Sequence, residues 1–155
     1  MADASGLYVD EADVEAELSH TIGAATKPSS TQLDQMIDDI EAEYNAVLYA
    51  VGVTVASIDE DDTPIVFKVS RQTCLWGVCS RVIAAAGGLV MGKGEKEEDY
   101  WDRFQLKLAA IKENPAFLGS DAPFSTSASR IGIHYSPMDG DDNYVESEFT
   151  RTTEY

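Results

Sequence analysis

The side chains able to do chemistry in this sequence are few, and their spacing decides most cases. Cys74 and Cys79 lie five residues apart. At 3.6 residues per helical turn such positions point about 140° away from each other, so these two thiols are poorly placed to share a metal or a bridge. Two cysteines make no disulfide framework, and burial as small, inert hydrophobes is the expectation. His20 and His134 are far apart, and neither sits in a metal-spaced cluster. Both are expected to be solvated or hydrogen-bonded structural histidines, and no Ser or Cys nucleophile has a recognisable setting.

Two stretches come close to ligand-binding loops. Gly87-Gly88-Leu89-Val90-Met91-Gly92-Lys93-Gly94 nearly matches the phosphate-binding loop. It lacks the Ser or Thr that would hold magnesium after the lysine, and it follows an apolar helix where the loop should follow a strand. Asp139, Asp141 and Asn143 copy the opening of an EF-hand loop, but Tyr144 stands at the required glycine and Thr150 at the required glutamate. An EF-hand is excluded, while casual cation binding by Asp139, Asp141 and Asp142 stays open. No catalytic, cofactor-binding or metal-binding residue is therefore assigned, no cofactor is expected, and an enzyme is not expected because no acid, base, nucleophile and oxyanion set can be assembled.

The elements that hold these residues read as helices. Asp10 followed by Glu11, Ala12 and Asp13 looks like an N-cap with acids in the first turn, opening a helix to about Ser19 with Leu7, Val14 and Leu18 on its apolar side. A connection from Gly23 to Ser30 precedes a second helix capped by Ser30 or Thr31. Its stripe is the clearest in the chain: Leu33, Met36, Ile37, Ile40, Tyr44, Val47, Leu48 and Val51, with Asp34, Asp38, Asp39, Glu41 and Glu43 opposite and Gly52 as the stop. Thr63-Pro64 starts a third helix running to about Ala86. It is apolar on most sides, so it should be central or covered by a neighbouring subunit. Glu95 begins a fourth, with Trp101, Phe104, Leu108 and Ile111 on one face, closed by Asn114-Pro115.

Beyond Pro115 the helical stripe is lost. Ile131, Ile133 and Tyr135 alternate, as does Tyr144 to Thr150 less cleanly, which resembles two strands and a long turn of a β-hairpin. Fully extended, residues 115–155 would span roughly 135 Å. The aromatic content of Tyr135, Tyr144, Phe149 and Tyr155 exceeds what a solvating tail requires. The fold class is accordingly mainly α: a small four-helix domain over residues 1–119 and an extended C-terminal arm over residues 120–155.

Charge is the most unusual bulk property, with 28 acids against 11 bases giving −17. Such a surface repels itself in dilute buffer, whereas at molar salt the Debye length falls to about 3 Å and the repulsion is largely screened. A halophilic intracellular setting is the simplest explanation. Residues 1–62 hold 15 acids and 1 base, residues 63–114 hold 6 and 8, and residues 115–155 hold 7 and 2. Without a cluster of Lys and Arg there is no grip for a nucleic-acid backbone. No stretch approaches the roughly 18 apolar residues of a membrane span, and Met1-Ala2-Asp3-Ala4 lacks the layout of a signal peptide, so a membrane partner is not expected.

The order of features resembles the head-tail connector, or adaptor, proteins of tailed viruses. The resemblance rests on Leu7-Tyr8-Val9-Asp10 before a short acidic helix, and on Leu33 to Val51 ending in Gly52-Val53. It continues through Val82-Ile83-Ala84-Ala85-Ala86-Gly87-Gly88, Tyr100-Trp101-Asp102-Arg103-Phe104, Ile111-Lys112-Glu113-Asn114-Pro115 and Leu118-Gly119. It covers residues 7–119 as a pattern of helix lengths and apolar positions, without a diagnostic signature.

The resemblance implies a virion protein of the neck between capsid and tail, assembled in the host cytoplasm. There it would form a homo-oligomeric ring, dodecameric in the family, beneath the portal protein and above tail or neck proteins. Genomic DNA would pass through the ring without sequence-specific binding. The acidity and the longer arm depart from the family pattern and leave the arm's destination open: portal, adjacent adaptor or tail. Ile131, Ile133, Tyr135, Tyr144, Phe149 and Tyr155 would bind partners, and Leu75, Trp76, Val78 and Trp101 would pack between subunits. The alternative class is an acidic DNA-mimicking or other protein-binding module.

Overall fold

The computed structural model describes residues 6–87 and 97–125. Helix α1 spans Glu11–Leu18, and Asp10 caps it. The Asp10 carboxylate accepts the Asp13 N–H at 2.9 Å, while Asp13 accepts the Asp10 N–H in return, so two backbone donors left over at the helix start are satisfied reciprocally. Asp13 also receives the guanidinium of Arg71, which ties α1 to the third helix. Val14 and Leu18 are buried as expected, but Leu7 is half exposed and belongs to no apolar face of α1.

Helix α2 spans Ser30–Ala50 and is capped one residue earlier than expected, by Ser29 and Gln32 in a capping box. Gly52, at φ 82°, supplies the left-handed turn that ends it. Leu33, Ile37, Ile40, Tyr44, Val47 and Leu48 are buried, with Met36 and Val51 packed at the margin. Helix α3 spans Pro64–Ala85, with proline in its first turn. Helix α4 spans Glu97–Glu113; its expected start at Glu95 and the loop from Leu89 to Gly94 lie outside the described residues. Asn114 then caps a 3-10 turn, Pro115–Leu118, by accepting the Ala116 N–H at 3.1 Å.

Helix α3 is the centre, one of the two positions expected from its apolar residues on most sides: α1, α2 and α4 all pack on it. Val66, Cys74, Val78, Cys79, Val82 and Ile83 are buried in one core with the stripe of α2 and with Tyr100, Phe104, Leu108 and Ile111 of α4. The crossing is close at Gly77, where an added Cβ would stand 2.8 Å from Ile40 Cγ2 and 3.2 Å from Phe104 Cδ2.

The helical unit runs past the expected boundary at residue 119. Asp121 accepts the Ile65 and Val66 N–H groups at 2.7 and 3.1 Å, so it caps α3, where Thr63 makes no side-chain cap. Residues 122–125 pair with residues 52–54: the Thr54 N–H donates to the Pro123 carbonyl at 2.8 Å, the Ser125 N–H to the Gly52 carbonyl at 2.7 Å, and Val53 and Phe124 form an isolated antiparallel bridge. The compact helical unit therefore extends to Ser125. The described residues are helical apart from turns and that bridge, and they contain no multi-residue strand. The expected hairpin of the arm lies outside the described residues.

Because backbone-to-side-chain contact at Gly77 leaves no room, Gly77→Val is expected to destabilise the fold by about 2–3 kcal/mol, although valine forms helix better than glycine. A fall in the urea midpoint at unchanged m-value is the measurement; an unchanged midpoint would show that Ile40 and Phe104 yield freely.

Candidate functional site

A polar cluster and a surface cleft are the two places where side chains of the described residues could do something beyond packing. The cluster is built on Glu41, which the alternation of α2 places among its solvated acids. The structure instead buries it, at 6% exposure. Its Oε1 accepts the Tyr8 and Val9 N–H groups at 2.8 and 3.1 Å, and its Oε2 accepts the Leu7 N–H at 2.7 Å. A carboxylate with three backbone donors is a satisfied buried charge. Gly6 permits the approach, because a Cβ there would meet Glu41 Oε1 at 2.5 Å. The segment before α1 is thereby locked onto α2.

Beside this lock lie hydroxyl and thiol groups. Ser70 Oγ donates its one proton to the Val66 carbonyl at 2.8 Å, so the 3.0 Å contact with Tyr44 is one in which the phenol donates. Tyr8 donates to Asn45 Oδ1 at 3.1 Å and meets the Tyr44 ring edge-on, 5.8 Å between centroids. Burial pushes both phenols well above their ordinary value of 10.0. Burial likewise pushes the Cys74 thiol up, with the Glu41 charge adding to it. Cys74 and Cys79 are both buried, as the sequence suggests, and neither is in a disulfide. Among the described residues no group of three or more His, Cys, Asp or Glu side chains is arranged to hold a metal ion.

The cleft lies where α3 and α4 leave part of the central helix uncovered. Lys68, Val69, Gln72, Thr73 and Trp76 of α3 and Lys107 of α4 line about 210 Å³ of space, room for one aromatic side chain. Lys68, Gln72 and Trp76 recur every fourth residue and so form one stripe on α3. Lys107 also stands over the Phe117 ring, 5.7 Å from its centroid, and Phe117 is half exposed.

Of the four residues expected between subunits, Trp76 is partly buried at this cleft and Leu75 packs at the edge of the core. Trp101 is partly buried, with Arg81 5.6 Å from its ring and Phe104 beside it. Val78 is a correction: it is fully buried in the chain's own core, where a neighbour cannot reach it. The six arm residues, Ile131, Ile133, Tyr135, Tyr144, Phe149 and Tyr155, lie outside the described residues, as do His134 and Asp139, Asp141 and Asp142. Against α2 the acids Asp34, Asp38 and Asp39 are exposed, while Glu43 receives Gln105 Nε2 at 3.3 Å.

No protein-family pattern matches the sequence, and no curated protein or solved structure is significantly similar to it. The site is therefore read from its own residues. Glu41, Asp121 and the lysine pair were missed in sequence. The one available signal was that the stripe of α2 wraps far enough round the helix to place position 41 beside Ile37 and Ile40.

Glu41→Ala leaves three backbone donors without their acceptor and is expected to cost about 2–3 kcal/mol, with Glu41→Gln costing less because one oxygen remains. Chemical denaturation of both variants tests this, and equal losses would refute the charge-assisted lock. The phenols give a pH dependence. In the unfolded chain they ionise near 10.0, while in the folded chain they stay neutral, so their contribution to stability is full below that pH and falls as pH rises above it. Urea midpoints are expected to drop above about pH 10, less steeply for Tyr44→Phe.

Proposed function

We propose that this chain is a structural virion protein whose ring joins portal to tail around the DNA exit channel, with its C-terminal arm lying on neighbouring molecules. The observation that carries the reading is the division at Ser125. Up to that residue four helices bury one another's apolar faces, and beyond it the sequence continues for residues 126–155 with Tyr135, Tyr144, Phe149 and Tyr155. An arm bearing alternating apolar residues can add strands to a partner's edge or fill its grooves, gaining main-chain hydrogen bonds at the cost of ordering. The order of helix lengths supports the adaptor role, and an acidic lumen would repel DNA phosphates and let the genome slide.

The exposed Asp34, Asp38 and Asp39 on α2, a helix with five acids and no base, favour a second reading as an acidic mimic that occupies a basic protein. The two readings part on assembly. Light scattering in molar salt, on the full chain and on a version ending at Ser125, each alone and mixed with the portal protein, is expected to show that the full chain assembles and holds portal while the shortened one does not. A full chain that neither assembles nor binds portal would sink the adaptor reading, and a monomer that displaces DNA from a basic protein would establish the mimic. Phe149→Ala or Tyr135→Ala is expected to weaken assembly about tenfold with unchanged helix content by circular dichroism.

A further inference from the structure

In a chain of charge −17, two lysines flank an apolar cleft, and neither Lys68 nor Lys107 is in an ion pair among the described residues. Exposed carboxylates stand elsewhere on the described surface, with Asp34, Asp38 and Asp39 on α2 and Glu60, Asp61 and Asp62 before α3. A cleft lined by Trp76 and two lysines on such a molecule selects an occupant of opposite charge with one apolar anchor. The sequence contains a segment of that description, Asp141-Asp142-Asn143-Tyr144-Val145-Glu146-Ser147-Glu148-Phe149, with four carboxylates, two aromatic rings and no base.

We propose that the cleft between α3 and α4 is a docking site for residues 141–149 of a second copy of this chain. One aromatic ring, Tyr144 or Phe149, fills the space over Val69, Thr73 and Trp76, and the flanking carboxylates face the Lys68 and Lys107 ammonium groups. Stacking against Trp76 and burial of the aliphatic lysine stems hold the ring, while the ammonium groups exclude basic or neutral competitors. The assignment rests on the reading that the arm lies on neighbouring molecules, and it names the receiving surface and its chemistry.

Zero-length carbodiimide coupling of the full chain, prepared as an equal mixture of ¹⁴N and ¹⁵N protein at moderate salt, tests it directly. Lys68 or Lys107 is expected to couple to Asp141, Asp142, Glu146 or Glu148, with light-heavy peptide pairs that mark a contact between copies. Coupling only within one copy, coupling to Asp34, Asp38 or Asp39 instead, or no coupling at either lysine would overturn the proposal. The double variant Lys68→Glu with Lys107→Glu is expected to lose about tenfold in self-association, while Lys112→Glu, on an exposed last turn of α4, changes it little. Mixing the double variant with Asp141→Lys plus Asp142→Lys chains should restore the coupling of arm to cleft; failure of this exchange, with helix content intact, would also refute the pairing. Light-heavy coupling in a protein that binds no portal would uphold the cleft and sink the adaptor role, whereas portal binding without coupling at the cleft would do the reverse.

Discussion

The close crossing of α3 with α2 and α4 at Gly77 is the constraint from which the rest of the molecule follows. A glycine in the middle of a helix costs about 1 kcal/mol relative to alanine, and the absent Cβ is what lets Ile40 and Phe104 reach the backbone of α3. With three helices packed on it, α3 can be apolar on most of its circumference and still be covered within one chain. One part left open is the stripe of Lys68, Gln72 and Trp76 next to Lys107. The position of this cleft with its cationic rim is thus a consequence of how the core closes.

Acidic side chains have two separate uses in this fold. Asp10, Asp13, Glu41 and Asp121 accept backbone N–H groups and fix where helices begin and where connecting segments lie. These ties join the segment before α1 to α2 and the residues after the 3-10 turn to the start of α3. Most of the remaining carboxylates among the described residues stand on the surface, where at molar salt their mutual repulsion is screened within about 3 Å. Partly or fully buried ties feel that screening less, so a change of salt acts mainly on the surface population.

Periodicity made the helices legible. Leu33 to Val51 recur at steps of three and four, Thr63-Pro64 marks the start of α3, and Asn114-Pro115 closes α4, because each is a local signal carried by neighbours in sequence. Apolar residues on most sides of α3 left two outcomes, a central helix or one covered by a neighbouring subunit, and the packing of α1, α2 and α4 on it realises the first. What escaped was set by contacts across long stretches of chain. Glu41 reads as one more acid of a solvated run, and only the return of Leu7, Tyr8 and Val9 to its carboxylate makes it a core residue. Asp121 lies where the helical pattern has ended, and its role depends on two N–H groups some 55 positions earlier. Val78 looks like surface for a neighbour, yet it is fully buried in the chain's own core. The same limit applies to the cleft, whose two lysines come from different helices.

Magnitudes decide what kind of assembly such a cleft could support. An aromatic side chain buries about 150–250 Å², which at roughly 25 cal/mol per Å² is some 4–6 kcal/mol before the cost of ordering the segment that carries it. Exposed ion pairs add about 0.2–1 kcal/mol each in dilute buffer and less in concentrated salt. After subtraction of lost translational and conformational freedom, a single arm in a single cleft is a weak contact. Copies that each give one arm and receive another gain by linkage, since once the first contact forms the next is made at high effective concentration. A head-to-tail arrangement of this type closes into a ring when its rotation permits, and no single contact in it has to be strong. Weak, repeated and charge-selective contacts therefore suit a molecule whose surface otherwise repels copies of itself.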